Sequence, residues 1–312
     1  MSATETAPAR PATLDEVPGW FHRLDQQLFA FFLEATAERG GDVLEMGCYL
    51  GKSTIVMGRH VREGETFTVC DLFGDESQGS YSREETRDFY QKTLSLRAFE
   101  TNYLAFHDTL PTIVRGRTNV LADSIPADSC RFVHIDASHM YEDVSVDIDT
   151  TREILRPHGV VALDDYRTEH TPGVSAAVWE AVFAKGMRPV CVSGSKLYAT
   201  WGETAGLQER LRAWAADVPT CTLAEDLIDG EVMLRLAAKK PRPKPAAKTA
   251  PEQTAPRPAA PAAGAPAAAP KVPVQAAPAA QAPPAGRSLA RRIALNVLPP
   301  VITRAVRRAK RG

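Results

Sequence analysis

Five carboxylates and one imidazole carry most of the chemistry this 312-residue chain could perform. Glu45, Asp71, Asp136, Asp164 and Asp165 each stand at or just beyond the end of an apolar run, and His139 follows Asp136 by three residues. If Asp136, Asp164 and Asp165 end adjacent strands, their carboxylates converge within a few ångströms, repel, and force at least one to stay neutral. A divalent cation removes that conflict. Oxygen donors without cysteine suit Mg²⁺, with Mn²⁺ and Ca²⁺ as alternatives. Helix capping, or pairing with nearby Arg152 or Arg167, is the other account of the same acids. His139, on the loop leaving the same strand end as Asp136, is placed to take a proton from a substrate hydroxyl. The ordinary role of a loop histidine, a hydrogen-bonded surface group, stays open beside it. Tyr166, Arg167 and His170 on the next loop are candidates to shape a pocket, whereas His134, inside its strand, reads as core.

The first of these acids belongs to VLEMGCYLGKST, residues 43–54, which reads as a strand, a tight turn and a helix start. A phosphate loop needs six residues from its first glycine to its Gly-Lys, and here Met46 stands where that glycine should be. A dinucleotide fingerprint fails because Tyr49 replaces the middle glycine. An S-adenosylmethionine site, acid-x-Gly-x-x-x-Gly, fits without repair. It places Glu45 near the charged methionine part, lets the backbone at Gly47 and Gly51 approach the ligand, and opens a helix at Ser53. A plain glycine-bearing turn is the alternative. Asp71 falls 26 residues after Glu45, close to the spacing at which a doubly wound fold binds ribose hydroxyls. Its other role would be to cap the next element. A cation beside a sulfonium points to an oxygen nucleophile, which the metal would acidify and hold in line.

The elements that must position these groups alternate. Leu24, Leu28, Phe31, Phe32 and Ala35 predict an amphipathic helix ending before Gly40, packed on the sheet and over the cofactor. Strands follow over 42–46, 66–71, 112–115, 131–136 and 159–165. Helices are expected from Ser53 to His60, up to about Leu104, from Glu142 to Leu155, and from Pro172 onward. Residues 189–193 and 196–201 flank a glycine turn and read as a closing hairpin. Such alternation implies an α/β, doubly wound, mostly parallel sheet covered on both faces, with ligands beyond the carboxyl ends of its strands.

Charge divides the chain. From Lys239 onward stand 15 Lys or Arg against one acid, Glu252, while residues 1–238 hold the other 22 bases and 37 acids. Residues 1–16 read as disordered, 17–238 as one domain, 239–286 as an Ala/Pro-rich tether without core-forming residues, and 287–312 as a basic amphipathic tail. That tail suits an anionic membrane first, through its continuous apolar face. RNA, an acidic partner, or no partner at all are the alternatives. No apolar run is long enough to span a membrane and no signal peptide is evident. Five cysteines scattered singly fit isolated thiols in a reducing cytoplasm, with the inner membrane face as the place a peripheral tail would sit. Homo-oligomerisation is left open.

Taken together, EMGCYLGKST, VCDLFGD, HIDASHMYEDV, LRPHGVVALDDY and the following PGV resemble the class I S-adenosylmethionine-dependent methyltransferases over residues 17–201. The branch they are most similar to contains macrocin O-methyltransferase and related sugar and natural-product enzymes. The resemblance implies a Rossmann-like, seven-stranded sheet whose last strand is antiparallel. It also implies Mg²⁺ on Asp136, Asp164 and Asp165. Catechol-type relatives carry a lysine base where this chain has His139, and the acid that often meets adenine is replaced here by the Arg117-Thr118-Asn119 region. The expected activity is Mg²⁺-assisted O-methylation of a sugar, glycan or secondary metabolite, with S-adenosylmethionine as donor. An RNA methyltransferase and a catalytically weak tethered binding module are the alternatives.

Overall fold

The computed structural model describes residues 10–74 and 93–239. The expected tether and basic tail, residues 1–9 and most of the acidic stretch after Leu72 lie outside the described residues. Helix α1 (Arg23–Ala37) forms where its spacing predicted, but its buried side is rotated: Leu28 and Phe32 are buried as expected, joined by Phe29 and Leu33, while Leu24, Phe31 and Ala35 are only partly covered. It leads through Gly40 and Gly41 into β1 (Asp42–Met46). Helix α2 (Lys52–Gly58), β2 (Phe67–Asp71), α3 (Leu96–Tyr103), β3 (Thr112–Arg115), a short α4 (Leu121–Ser124) and β4 (Cys130–Ile135) follow. The chain continues through α5 (Tyr141–Ile154), β5 (Leu155–Leu163), α6 (Pro172–Ala184), β6 (Arg188–Val192) and β7 (Leu197–Thr200). It then forms α7 (Ala205–Asp217), β8 (Cys221–Ile228) and β9 (Glu231–Ala238).

Among the described residues one sheet runs β3-β2-β1-β4-β5-β7-β6-β9-β8. Strands β1 to β5 are parallel, and β7 enters antiparallel between β5 and β6. The α/β class and the antiparallel closing hairpin agree with expectation. The strand count does not: nine strands replace seven. Asp229 and Gly230, both at positive φ, turn β8 back into β9, and β9 adds in parallel to the free edge of β6. An Asp-Gly pair between alternating runs is a strong hairpin signal, and it covers an edge that would otherwise expose unpaired backbone.

Strand order reverses at β1, whose neighbours are β2 on one side and β4 on the other. Their following loops part there, which opens a cleft at the carboxyl ends of the strands. Arg131, wholly buried in β4, locks this region. Its guanidinium donates to both Glu65 oxygens at 2.7 Å and to the carbonyls of Leu33 and His60. That ties α1, the end of α2 and the loop into β2 to one side chain.

Helix α5, which follows the Asp136–His139 loop, carries a cost. Asp147 is 1% exposed, its Oδ2 has no hydrogen-bond partner, and burial pushes its carboxyl up to about 6. A raised folded-state value means stability that is full below the unfolded value near 3.8 and is lost as pH rises through about 6. Asp147→Asn is therefore expected to unfold like the parent near pH 3 and to be more stable at pH 8, by about 2–3 kcal/mol. Urea denaturation across that range checks it; an equal gain at both ends would contradict it.

Candidate active site

The turn after β1 is built on close backbone contacts. Gly47 has φ +80°, and a Cβ there would overlap the carbonyl oxygen of Asp136. Its N–H donates to Cys70 O at 2.8 Å, and Gly51 N–H donates to Cys48 O at 2.8 Å. Gly51, at φ +88°, caps α2 in the left-handed region. Between them Tyr49 is held at φ +46°. Asp71 fixes this unfavourable shape: Oδ2 accepts the N–H groups of Cys48 and Tyr49 at 2.8 and 2.9 Å, and Oδ1 accepts Phe73 N–H at 2.9 Å. Desolvation raises the Asp71 pKa against those three donors. The Asp71 carboxylate, expected at a ribose, is engaged by these three backbone donors. It clamps the turn.

Glu45, expected near the methionine part of the donor, is turned into the protein interior. It is wholly buried; Oε1 accepts His134 Nδ1–H at 2.8 Å and Oε2 accepts the Thr54 hydroxyl. The two residues stand in register on neighbouring strands, Glu45 on β1 and His134 on β4. With both oxygens taken, Glu45 lies behind the turn and joins it to the next strand. His134 Nε2 in turn accepts from Lys196 Nζ at 3.2 Å, and desolvation, then the Lys196 charge, lower its pKa. The ring stays neutral, in the tautomer protonated at Nδ1.

Lys196 is the residue that sequence reasoning missed as part of the site. It is 1% exposed, and its ammonium donates to Asp164 Oδ2 and lies 5.7 and 5.8 Å from the Phe21 and Phe29 ring centres. Burial alone would neutralise it, but Asp164 and Asp136 raise its pKa and keep it charged. Neither Arg152 nor Arg167 pairs with the acids: Arg167 donates to Gly194 O instead. A signal existed. Because β7 is antiparallel, the residue just before it lies at the same end of the sheet as the acids that follow β4 and β5.

Asp136 and Asp164 continue the ladder one step past their strands, through Asp136 N–H to Met46 O at 2.8 Å and Asp164 N–H to Ile135 O at 3.0 Å. This is why the carboxylates meet. Desolvation and then Asp164 push Asp136 far above the usual range, and the same two causes raise Asp165. Asp164 feels the same desolvation, yet Lys196, His134 and the Asp165 N–H hold it below the usual range. Asp165 sits at φ +56° with Oδ2 3.4 Å from His139 Nε2. The loop bearing His139 is set by Gly173 of α6, where a Cβ would strike the backbone of residues 139–141.

A cleft of about 550 Å³ joins these parts. Gly47, Ser53, Asp136, His139, Asp164 and Asp165 line it, whereas Glu45, Gly51 and Asp71 are not among its lining residues. His170 lines it too, but Tyr166 is buried against Trp179 and Arg167 lies outside. The segment Pro18–His22 forms the facing wall, with Trp20 stacked on Tyr49 at 5.8 Å. Cover therefore comes from the chain before α1, not from α1 itself. The glycine-built turn fits a donor that must approach backbone closely. For a metal the charges fit: three carboxylates and one ammonium leave two negative charges, and oxygen donors match a hard divalent ion.

A family model described as a methyltransferase domain matches residues 44–166, from β1 to the loop after β5. The matched span carries the glycine turn, Asp136 and the Asp164-Asp165 pair, and the motifs within it resemble the class I, S-adenosylmethionine-dependent kind of methyltransferase. Among solved structures, the O-methyltransferase NovP aligns at 19% identity and a TM-score of 0.47, covering 57% of this chain and 81% of NovP. CalS11, a TDP-rhamnose 3′-O-methyltransferase of calicheamicin biosynthesis, aligns at 15% and 0.40, covering 61% and 85%. The Podospora anserina methyltransferase PaMTH1, solved with S-adenosylhomocysteine, aligns at 12% and 0.31, covering 70% and 80%. The sequence matches no curated protein. Among the described residues no helix is long and apolar enough to cross a membrane, and the five cysteines are free and buried.

The clamp makes a prediction about this turn. Asp71→Asn puts an amide N–H against backbone N–H donors, so the ligand-free protein should lose about 1–3 kcal/mol and bind S-adenosylmethionine more weakly. Denaturation of the ligand-free variant decides between clamp and direct ligand: unchanged stability with lost binding would assign Asp71 to the ribose instead.

Proposed function

We propose that the chain is a Mg²⁺-assisted O-methyltransferase acting on a hydroxyl of a sugar, glycan or secondary metabolite. The observation that carries this reading is the group Asp136, His139 and Asp165, whose ligand-capable atoms lie within 4.8 Å of one another on the cleft wall. An imidazole among carboxylates suits removal of a hydroxyl proton rather than activation of carbon or sulfur. The polar lining from His22, Thr168 and His170 suits a hydroxyl-rich acceptor, as does the motif resemblance to macrocin O-methyltransferase.

S-adenosylmethionine, when bound, supplies an electrophilic methyl group, and Gly47, Cys48, Tyr49 and Ser53 would hold it. Mg²⁺, when bound by the acid cluster, lowers the pKa of an acceptor hydroxyl. His139 takes the hydroxyl proton at Nε2 as the acceptor oxygen becomes nucleophilic. Asp165, 3.4 Å away, then pairs with the imidazolium. Trp20 and Phe21 wall the cleft against bulk water. The basic segment 287–312 is proposed as a contact for an anionic membrane, with the domain working in the cytoplasm.

Calorimetry with S-adenosylmethionine tests the root of this reading, and absence of binding would overturn it. Methyl transfer to a panel of hydroxylated acceptors should require Mg²⁺ and vanish in EDTA; full activity in EDTA would remove the metal role. For His139→Ala a fall of about 10²–10⁴-fold in kcat is expected, partly restored at high pH, where hydroxyl deprotonation no longer needs a base.

A further inference from the structure

Among the described residues, two groups of side chains lie close enough to hold an ion: His134, Asp136 and Asp164, and Asp136, His139 and Asp165. The first is already spent. His134 donates from Nδ1 to Glu45 and accepts at Nε2 from Lys196. Asp164 Oδ1 accepts the Asp165 N–H at 2.8 Å, and Oδ2 carries the Lys196 ammonium. The second group is less committed: Asp165 Oδ2 meets His139 Nε2 only at 3.4 Å.

Lys196 cannot readily give up its carboxylate. Its head group is enclosed by Phe21, Phe29, His134 and Asp164, and is 1% exposed, so leaving Asp164 would strand an ammonium beside two aromatic rings and a neutral imidazole. An incoming ion that recruited Asp164 would also stand within a few ångströms of that ammonium. Asp136 and Asp165 hold no direct bond to the ammonium, so their carboxylates can turn to an ion without stranding it.

Resting on the metal-assisted reading above, we propose that Lys196 is a positioning residue: it is the permanent counter-ion of Asp164 and confines the divalent ion to Asp136 and Asp165. The aspartate that looks most like a ligand in the Asp164-Asp165 pair is then structural, and only its neighbour binds metal. Removing the ammonium should release Asp164 as a third carboxylate and tighten metal binding, the reverse of what loss of a ligand does.

The test is calorimetric titration of the full-length chain with Mn²⁺, with circular dichroism to verify folding. Asp164→Asn should bind Mn²⁺ within about threefold of the parent, while Asp136→Asn and Asp165→Asn should each lose about 10–100-fold. Lys196→Met should gain about tenfold in affinity as a further carboxylate joins the ion, and Lys196→Arg should restore the parental value. Equal losses in Asp164→Asn and Asp165→Asn overturn the proposal, as does unchanged or weaker binding in folded Lys196→Met. If Lys196→Met does not fold, the two aspartate variants still decide. A parent chain that binds S-adenosylmethionine but no Mn²⁺ would sink the metal reading and this proposal together, whereas Mn²⁺ binding with the wrong variant pattern sinks only the proposal.

Discussion

Charge that is taken out of water must be matched where it lies, and the carboxyl ends of β4 and β5 bury Asp164 with Asp136 and Asp165 half-buried beside it. The match comes from across the sheet. Lys196 precedes β7, and the antiparallel entry of β7 delivers its ammonium to the end of the sheet where the acids collect. From Lys196 the polar contacts run on through His134 to Glu45 and Thr54, beneath the turn that follows β1. The glycine turn after β1 and the acid cluster are therefore joined by one buried chain of hydrogen bonds. Such a chain is stable only when every member is satisfied, so each residue in it constrains the rotamers of the next.

This explains why two acids with correct positions have unexpected partners. Glu45 and Asp71 end their strands as a donor-binding fold requires, and the strand limits 42–46 and 112–115 were legible from apolar runs bounded by turn residues. Spacing along the chain places a carboxyl group at a strand end. It does not say which way the group turns, because that is settled by donors distant in sequence: His134 lies 89 residues from Glu45, and Cys48 lies 23 from Asp71. The register of β1 against β4 and the shape of the glycine turn decide those pairings, and neither is encoded in a local window.

The same limit accounts for Lys196 and the N-terminal wall. A lysine beside a glycine turn reads as solvent-facing until the hairpin's direction is known. Once β7 is placed antiparallel against β5, its leading residue must lie at the active end, and the apolar hairpin around it leaves Asp164 as its partner. Pro18–His22 had no periodicity to announce a role, yet Trp20 and Phe21 supply both the facing wall and part of the enclosure of the ammonium. The β8–β9 hairpin had a local signal in Asp229-Gly230, yet seven strands were expected without it; it extends the sheet at the β6 edge, several strands from the cleft.

The contact of Gly47 with the Asp136 backbone has the most direct bearing on catalysis. The turn that would hold the methyl donor and the loop that presents Asp136 and His139 touch through main chain, at a point where even a methyl group cannot fit. The distance between donor and acceptor sites is thus set by backbone geometry, which is stiffer than any pair of side chains. Methyl transfer gains most from holding the attacking oxygen in line and near van der Waals contact with the methyl carbon. A glycine that brings two loops together, and an aspartate that clamps the outer side of the same turn, serve that requirement without contacting the reacting atoms themselves.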